Sequence, residues 1–111
     1  MTRIVGIHEF EPKSGVTEAE LEQAIRALLA TPVYPGFRGS LIRSDRGTDV
    51  GRHGVLFEIG SIEARNRFID DNGETEECKQ FDADHPEIGA AWNHLMSLIV
   101  QPWHWNDFLV A

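Results

Sequence analysis

The stretch from Gly36 to Ser61, GFRGSLIRSDRGTDVGRHGVLFEIGS, limits what this chain can fold into more than any other. Phe37, Leu41 and Ile42 precede a polar, glycine-rich segment, and Val55, Leu56, Phe57 and Ile59 follow it. Two short apolar runs bounded by turn formers read as neighbouring antiparallel strands. The connection between them, SDRGTDVGRH, is too polar to be buried and too long for a two-residue turn. It reads as a mobile hairpin loop over 45–53, either a lid over a pocket or a solvated connection. Ser61 then caps a helix that crosses the strands just formed.

The remaining elements follow from period and capping. RIVGIHEF forms a first strand in which Ile4, Gly6, His8 and Phe10 share one face and Val5, Ile7 and Glu9 the other. Thr17 and Glu20 make a capping box, because each side-chain oxygen can accept from a helix-start N–H, and a helix begins at Glu18. Leu21, Ala24, Ile25 and Leu28 give it one apolar stripe, and Thr31-Pro32 ends it. The helix after Ser61 turns Ile62, Phe68 and Ile69 inward, with Arg65 on the same face. ETEECKQFDAD reads as a short acidic helix or loop on a solvated surface. Pro86 suits a first helical position, and Ile88, Ala91, Trp92 and Leu95 then share a face. LIVQPWHW reads as a closing strand, placed at an edge by Pro102, which cannot donate to a ladder. NDFLVA either extends it or crosses onto a partner.

This order, strand, helix, strand, strand, helix, strand, is α+β: a ferredoxin-like βαββαβ arrangement in which helices cover one face of a four-stranded antiparallel sheet. With 111 residues there is room for one domain, spanning 1–111. The first and last strands are apolar on both sides, so the uncovered face needs a partner. A second copy supplies one, with Trp103 and Trp105 suited to anchor the homodimer.

Composition narrows the partners. Eighteen acidic against ten basic residues leave a net charge of -8, which repels phosphate backbones and anionic lipid, so neither nucleic acid nor membrane is expected. The lone Cys78 cannot form an internal disulfide, and MTRIVGIHEF lacks a secretory apolar run, so a cytoplasmic location is expected.

PGFRGSLIRS, GVLFEIGSIEARNRF and DHPEIGAAWNHLMSLI together give the chain a resemblance to the dimeric α/β-barrel superfamily, which includes the antibiotic-biosynthesis monooxygenase-like and stress-responsive barrel families. The resemblance covers nearly the whole chain, with Gly60 standing near the place where those families often carry a tryptophan. It implies a homodimer with a small pocket in each subunit between sheet and helices. Activities in that superfamily range over cofactor-independent oxygenases, haem-degrading enzymes, small cyclases and isomerases, and the fold does not choose among them.

Candidate site residues follow from which side chains face that pocket. His8 shares a face with Ile4, Gly6 and Phe10, and serves either as a general base near neutral pH or as a structural, hydrogen-bonded histidine. His85 projects with Ile88 and Trp92, which makes His8 and His85 the expected acid/base pair. Tyr34 and Trp92 would line the site, or else belong to the core. Arg65 either pairs with an acidic neighbour or binds an acidic ligand. No metal-ligand spacing such as HExxH or paired CxxC occurs, so no metal site is expected. The leading expectation is a cofactor-independent enzyme of monooxygenase, isomerase or cyclase type, acting on an apolar, aromatic or polyketide-like molecule. The alternatives are a non-catalytic ligand-binding or stress-responsive dimer, and a haem-binding or haem-degrading protein.

Overall fold

A computed structural model describes residues 2–111. The elements run β1 (Arg3–Phe10), α1 (Glu18–Leu29), β2 (Phe37–Arg43), β3 (His53–Ile59), α2 (Ile62–Phe68), β4 (Ile69–Asp70), β5 (Gly73–Glu74), α3 (Glu76–Asp84), α4 (Pro86–Leu98) and β6 (His104–Val110). β2, β3, β1 and β6 form one four-stranded antiparallel sheet in that spatial order, and β4 with β5 makes a separate two-stranded ribbon. This is the ferredoxin-like topology expected from the sequence.

Helix starts match their capping chemistry. Thr17 accepts from the Glu20 N–H while Glu20 accepts from the Thr17 N–H, and Ser61 accepts from the Ala64 N–H. The inner faces of α1 and α4 meet over the sheet. Leu21, Ala24, Ile25, Leu28, Leu95 and Ile99 pack there with Phe10 and Val55 in one buried cluster. The β2–β3 connection closes on itself through hydrogen bonds from Ser44 N to Arg52 O, Gly51 N to Ser44 O and Arg52 N to Asp49 O.

Register divides the sheet into two faces. Ile4, Gly6, His8 and Phe10 lie opposite Ile59, Phe57, Val55 and His53 on β3, and these are the residues turned to the helices. The other set includes Val5, Ile7, Ile42, Leu56, Phe108 and Val110, none of which belongs to the core cluster. Phe108 is 50% exposed, so the chain alone leaves an apolar sheet face in water.

Four expectations change. The closing strand is β6, HWNDFLV, and Pro102 lies ahead of it. Ile99 makes only an isolated bridge to Pro12, because helical periodicity carries α4 on through Leu98. With the strand moved, Trp105 falls opposite His8 on the helix side and Trp103 packs against the core, so neither stands on the uncovered face. The acidic segment is not merely a solvated surface: Thr75 caps α3 and Cys78 on it is fully buried. Ile69 leaves α2 for β4 and is 40% exposed, rather than facing inward.

Gly54 lets β3 pass close to β1, for a Cβ there would stand 2.1 Å from the His8 carbonyl oxygen. No real side chain fits at that distance. Gly54→Ala is therefore expected to force the strands apart and lower unfolding stability by about 1–3 kcal/mol, the usual cost of overpacking. Chemical denaturation checks it, and an unchanged midpoint would contradict this account of the β1–β3 contact.

Candidate functional site

His8 sits near the middle of β1, paired across to Val55 on β3 and Trp105 on β6. Its imidazole lies among four aromatic rings. Trp105 stacks on it with ring centroids 5.7 Å apart and 10° between planes, Phe57 meets it edge-on at 5.6 Å, and Trp92 and Trp103 tilt against it, each at 6.4 Å. Four elements contribute: Phe57 comes from β3, Trp92 from α4, Trp105 from β6, and Trp103 from the segment just before β6.

One polar contact fixes the ring. The Trp103 indole N–H donates to Nδ1 of His8 over 3.0 Å. Indole nitrogen can only donate, so Nδ1 is the accepting atom of this bond. Nε2 makes no hydrogen bond to any described residue. Nor is it sealed off, since the described side-chain N or O atom that is both buried and without a partner is Nε2 of His53. His53 itself is a core residue, 3% exposed, with Glu22 of α1 3.7 Å away.

An ion pair flanks this cage. Arg65 reaches from α2 to Asp107 on β6, Nη1 to Oδ2 at 3.1 Å, and Asp107 lies opposite Gly6, one step along the His8 face. The missing side chain of Gly6 makes the room: a Cβ there would stand 2.8 Å from Asp107 Oδ1. Arg65 thus pairs with an acidic neighbour across the site's rim. Burial lowers the His8 pKa below the usual 6.5, and the Asp107 carboxylate opposes that shift without overcoming it.

Tyr34 and His85 belong to a second cluster. Tyr34 stacks on Phe68 at 4.8 Å and meets Phe81 at 5.2 Å, and its hydroxyl donates to Asp82 over 2.9 Å. The Cys78 thiol donates to the Tyr34 oxygen at 3.2 Å. Burial pushes the Tyr34 hydroxyl and the Cys78 thiol upward in pKa, so both stay protonated near neutrality. His85, at the junction of α3 and α4, packs on Phe81 at 4.6 Å with Nδ1 3.6 Å from Glu87. The structure therefore unites His8, Trp92 and, through Asp107, Arg65, while His85 and Tyr34 gather around Phe81 instead. The partners of His8 and of His85 have no residue in common.

Glu74, Cys78 and Asp82 bring their donor atoms within 4.8 Å of one another. Cys78 and Asp82 are already engaged with Tyr34 and with each other, and a thiol raised in pKa by burial is a poor source of the thiolate a metal would take. Two recesses lie elsewhere on the described surface. One of about 220 Å³ is bounded by Arg3, Ile4, Val5, Glu58, Ile59 and Gly60, and one of about 430 Å³ by Glu20, Gln23, Ala24, Ala27, His94 and Leu98. Neither is lined by His8, whose ring is partly covered by its aromatic neighbours.

Trp103, Trp105 and Asp107 were not among the site residues expected from sequence. The period-two pattern of HWNDFLV, read as a strand beside RIVGIHEF, would have set Trp105 and Asp107 on the His8 face.

A four-stranded antiparallel sheet with helices on one face and a histidine caged beneath them defines a ferredoxin-like α+β protein, and solved structures share this fold. A dimeric ferredoxin-like protein of unknown function from Bacteroides fragilis aligns over 97% of this chain and 96% of its own, with a TM-score of 0.56 and 15% identity. Another, from Thermobifida fusca, aligns over 98% and 92% with a TM-score of 0.54 and 18% identity. A Chloroflexus aurantiacus protein provisionally named an antibiotic biosynthesis monooxygenase aligns over 98% and 93% with a TM-score of 0.59 and 12% identity. The neighbours are thus dimeric ferredoxin-like and monooxygenase-like proteins, and at these identities the likeness is one of fold. No protein-family profile matches the chain, and no curated sequence does. Among the described residues no helix is long and apolar enough to cross a membrane.

The depressed His8 pKa has a thermodynamic consequence. The unfolded chain takes up its proton first, so this residue's contribution to stability is complete above pH ~6.5 and is lost as pH falls from there toward the folded pKa. His8→Gln is expected to flatten that part of the stability profile. Ring-proton NMR titration should place the His8 midpoint below 6.5, and a midpoint above it would contradict the desolvated setting.

Proposed function

We propose that the protein is a homodimer which holds a small planar aromatic molecule against His8 and transforms it without a bound cofactor, by oxygenation, isomerisation or cyclisation. The carrying observation is the aromatic cage itself. Trp105 is 54% exposed yet stacks flat on His8, so a planar ligand can take the position of its ring without unpacking the buried cluster. Such sites combine apolar walls with few, well-placed polar groups, here Nε2 of His8 and the Arg65–Asp107 pair. The names carried by the fold's neighbours favour dimerisation and small-molecule oxygenation.

The dimer forms through the sheet face bearing Val5, Ile7, Leu56 and Phe108, which costs roughly 25 cal/mol per Å² to leave hydrated. Two-fold stacking buries this face on both copies. Sedimentation velocity over a dilution series should find a dimer, and Phe108→Glu should move it toward monomer. A well-folded wild-type monomer at high micromolar concentration would contradict dimerisation.

The closed packing around His8 favours a second reading, a dimer that binds such a molecule without transforming it. The two readings separate in one titration. All three tryptophans of the chain surround His8, so intrinsic fluorescence reports on this site. With 1,8-dihydroxyanthrone as probe, saturable quenching is expected, together with oxygen uptake above the probe's spontaneous rate and a loss of that uptake by about 100-fold or more in His8→Ala. Quenching without uptake supports the non-catalytic reading. Unquenched fluorescence would contradict both.

A further inference from the structure

We propose that Trp103 is a positioning residue that locks His8 as the Nε2–H tautomer, so that His8 meets its ligand as a neutral hydrogen-bond donor and not as a base. The inference rests on the ligand reading above and assigns the ligand's chemistry: a planar molecule presenting a carbonyl, enolate or phenolate oxygen to Nε2.

The geometry leaves little choice. Nδ1 of His8 accepts the indole N–H at 3.0 Å, and an imidazole with its proton on Nδ1 would set two donors against each other. The indole cannot reverse its role, whereas a water or a hydroxyl could. Nε2 is the nitrogen without a described partner, and on the neutral ring it is the one that bears the proton. Burial keeps the imidazole neutral near pH 7, which preserves this donor without adding a charge. A neutral imidazole serving as electrophile has precedent in enzymes that polarise carbonyl groups. Proton removal, where a reaction requires it, then falls to a carboxylate on the same face, Asp107, which lies within electrostatic reach of His8.

The role of Trp103 is separable from simple packing. Trp103→Phe keeps an aromatic ring but removes the N–H. In the full-length protein at pH 7.5, long-range ¹H–¹⁵N correlation of the imidazole should show Nδ1 unprotonated and Nε2 protonated in the wild type. The same spectrum of Trp103→Phe should show a mixture of tautomers. Nδ1–H in the wild type overturns the proposal, and so does an unchanged tautomer in a folded Trp103→Phe. Should that variant fail to fold, the wild-type spectrum decides.

The ligand's chemistry is tested with 1-tetralone, which has an acceptor oxygen, against tetralin, which has none. Tryptophan quenching should give tetralone roughly threefold to tenfold tighter binding, the worth of one neutral hydrogen bond. Equal binding overturns the donor role alone. Failure of both compounds to bind removes the donor role together with the ligand reading, while Nδ1–H with intact binding overturns the tautomer lock and the Nε2 donor role and leaves the ligand reading standing.

Discussion

Strand β1 lies between β3 and β6, and its alternation commits each of its side chains to one face of the sheet. Ile4 and Phe10 are wholly buried under the helices, so Gly6 and His8 between them must face the same way. The position of His8 is therefore not a local choice. Slipping the strand by one residue would expose Ile4 and Phe10 and turn Val5 and Ile7 inward. The hydrophobic register of the whole sheet holds the imidazole where it is, and a lone polar ring so placed needs partners on the same face. Trp103 supplies the hydrogen bond, and Gly6 gives Asp107 room to stand beside it, tied to Arg65 on α2.

The fold was legible in the sequence because its signals are local. The T-x-x-E box at Thr17, the apolar stripe through Leu28 and the paired apolar runs of the β2–β3 hairpin each specify their element alone. The C-terminal end was less legible. LIVQPWHW has strand-like composition, yet its first residues continue the period of α4, and the strand begins only at His104. That shift decided the fate of Trp105 and Asp107, since alternation read from the wrong start assigns faces wrongly. His8 was legible as a pocket-facing residue through its register with Ile4 and Phe10. Its contact with Trp103 was not, because the two are 95 positions apart and only the folded sheet joins them.

His85 and Tyr34 show the opposite limit. Helical projection set His85 with Ile88 and Trp92, but it occupies the bend between α3 and α4, where φ is -131° and ψ is 70°, outside the helix whose period was used. From there its ring meets Phe81, a residue of the acidic segment that composition alone assigned to solvent. Cys78, Phe81 and Asp82 recur at helical spacing on α3 and form an inner face with Tyr34 and Phe68. A hydrogen-bonded thiol, hydroxyl and carboxylate in that place tie α3 to the β2 entry segment.

The most direct measurement is a crystal structure of the protein soaked with 1,8-dihydroxyanthrone. The account predicts the tricyclic ring lying flat on the imidazole of His8, with the Trp105 indole displaced and a ligand oxygen within hydrogen-bonding distance of Nε2. Ligand density between the helix-free faces of two copies, with Trp105 still stacked on His8, would contradict it.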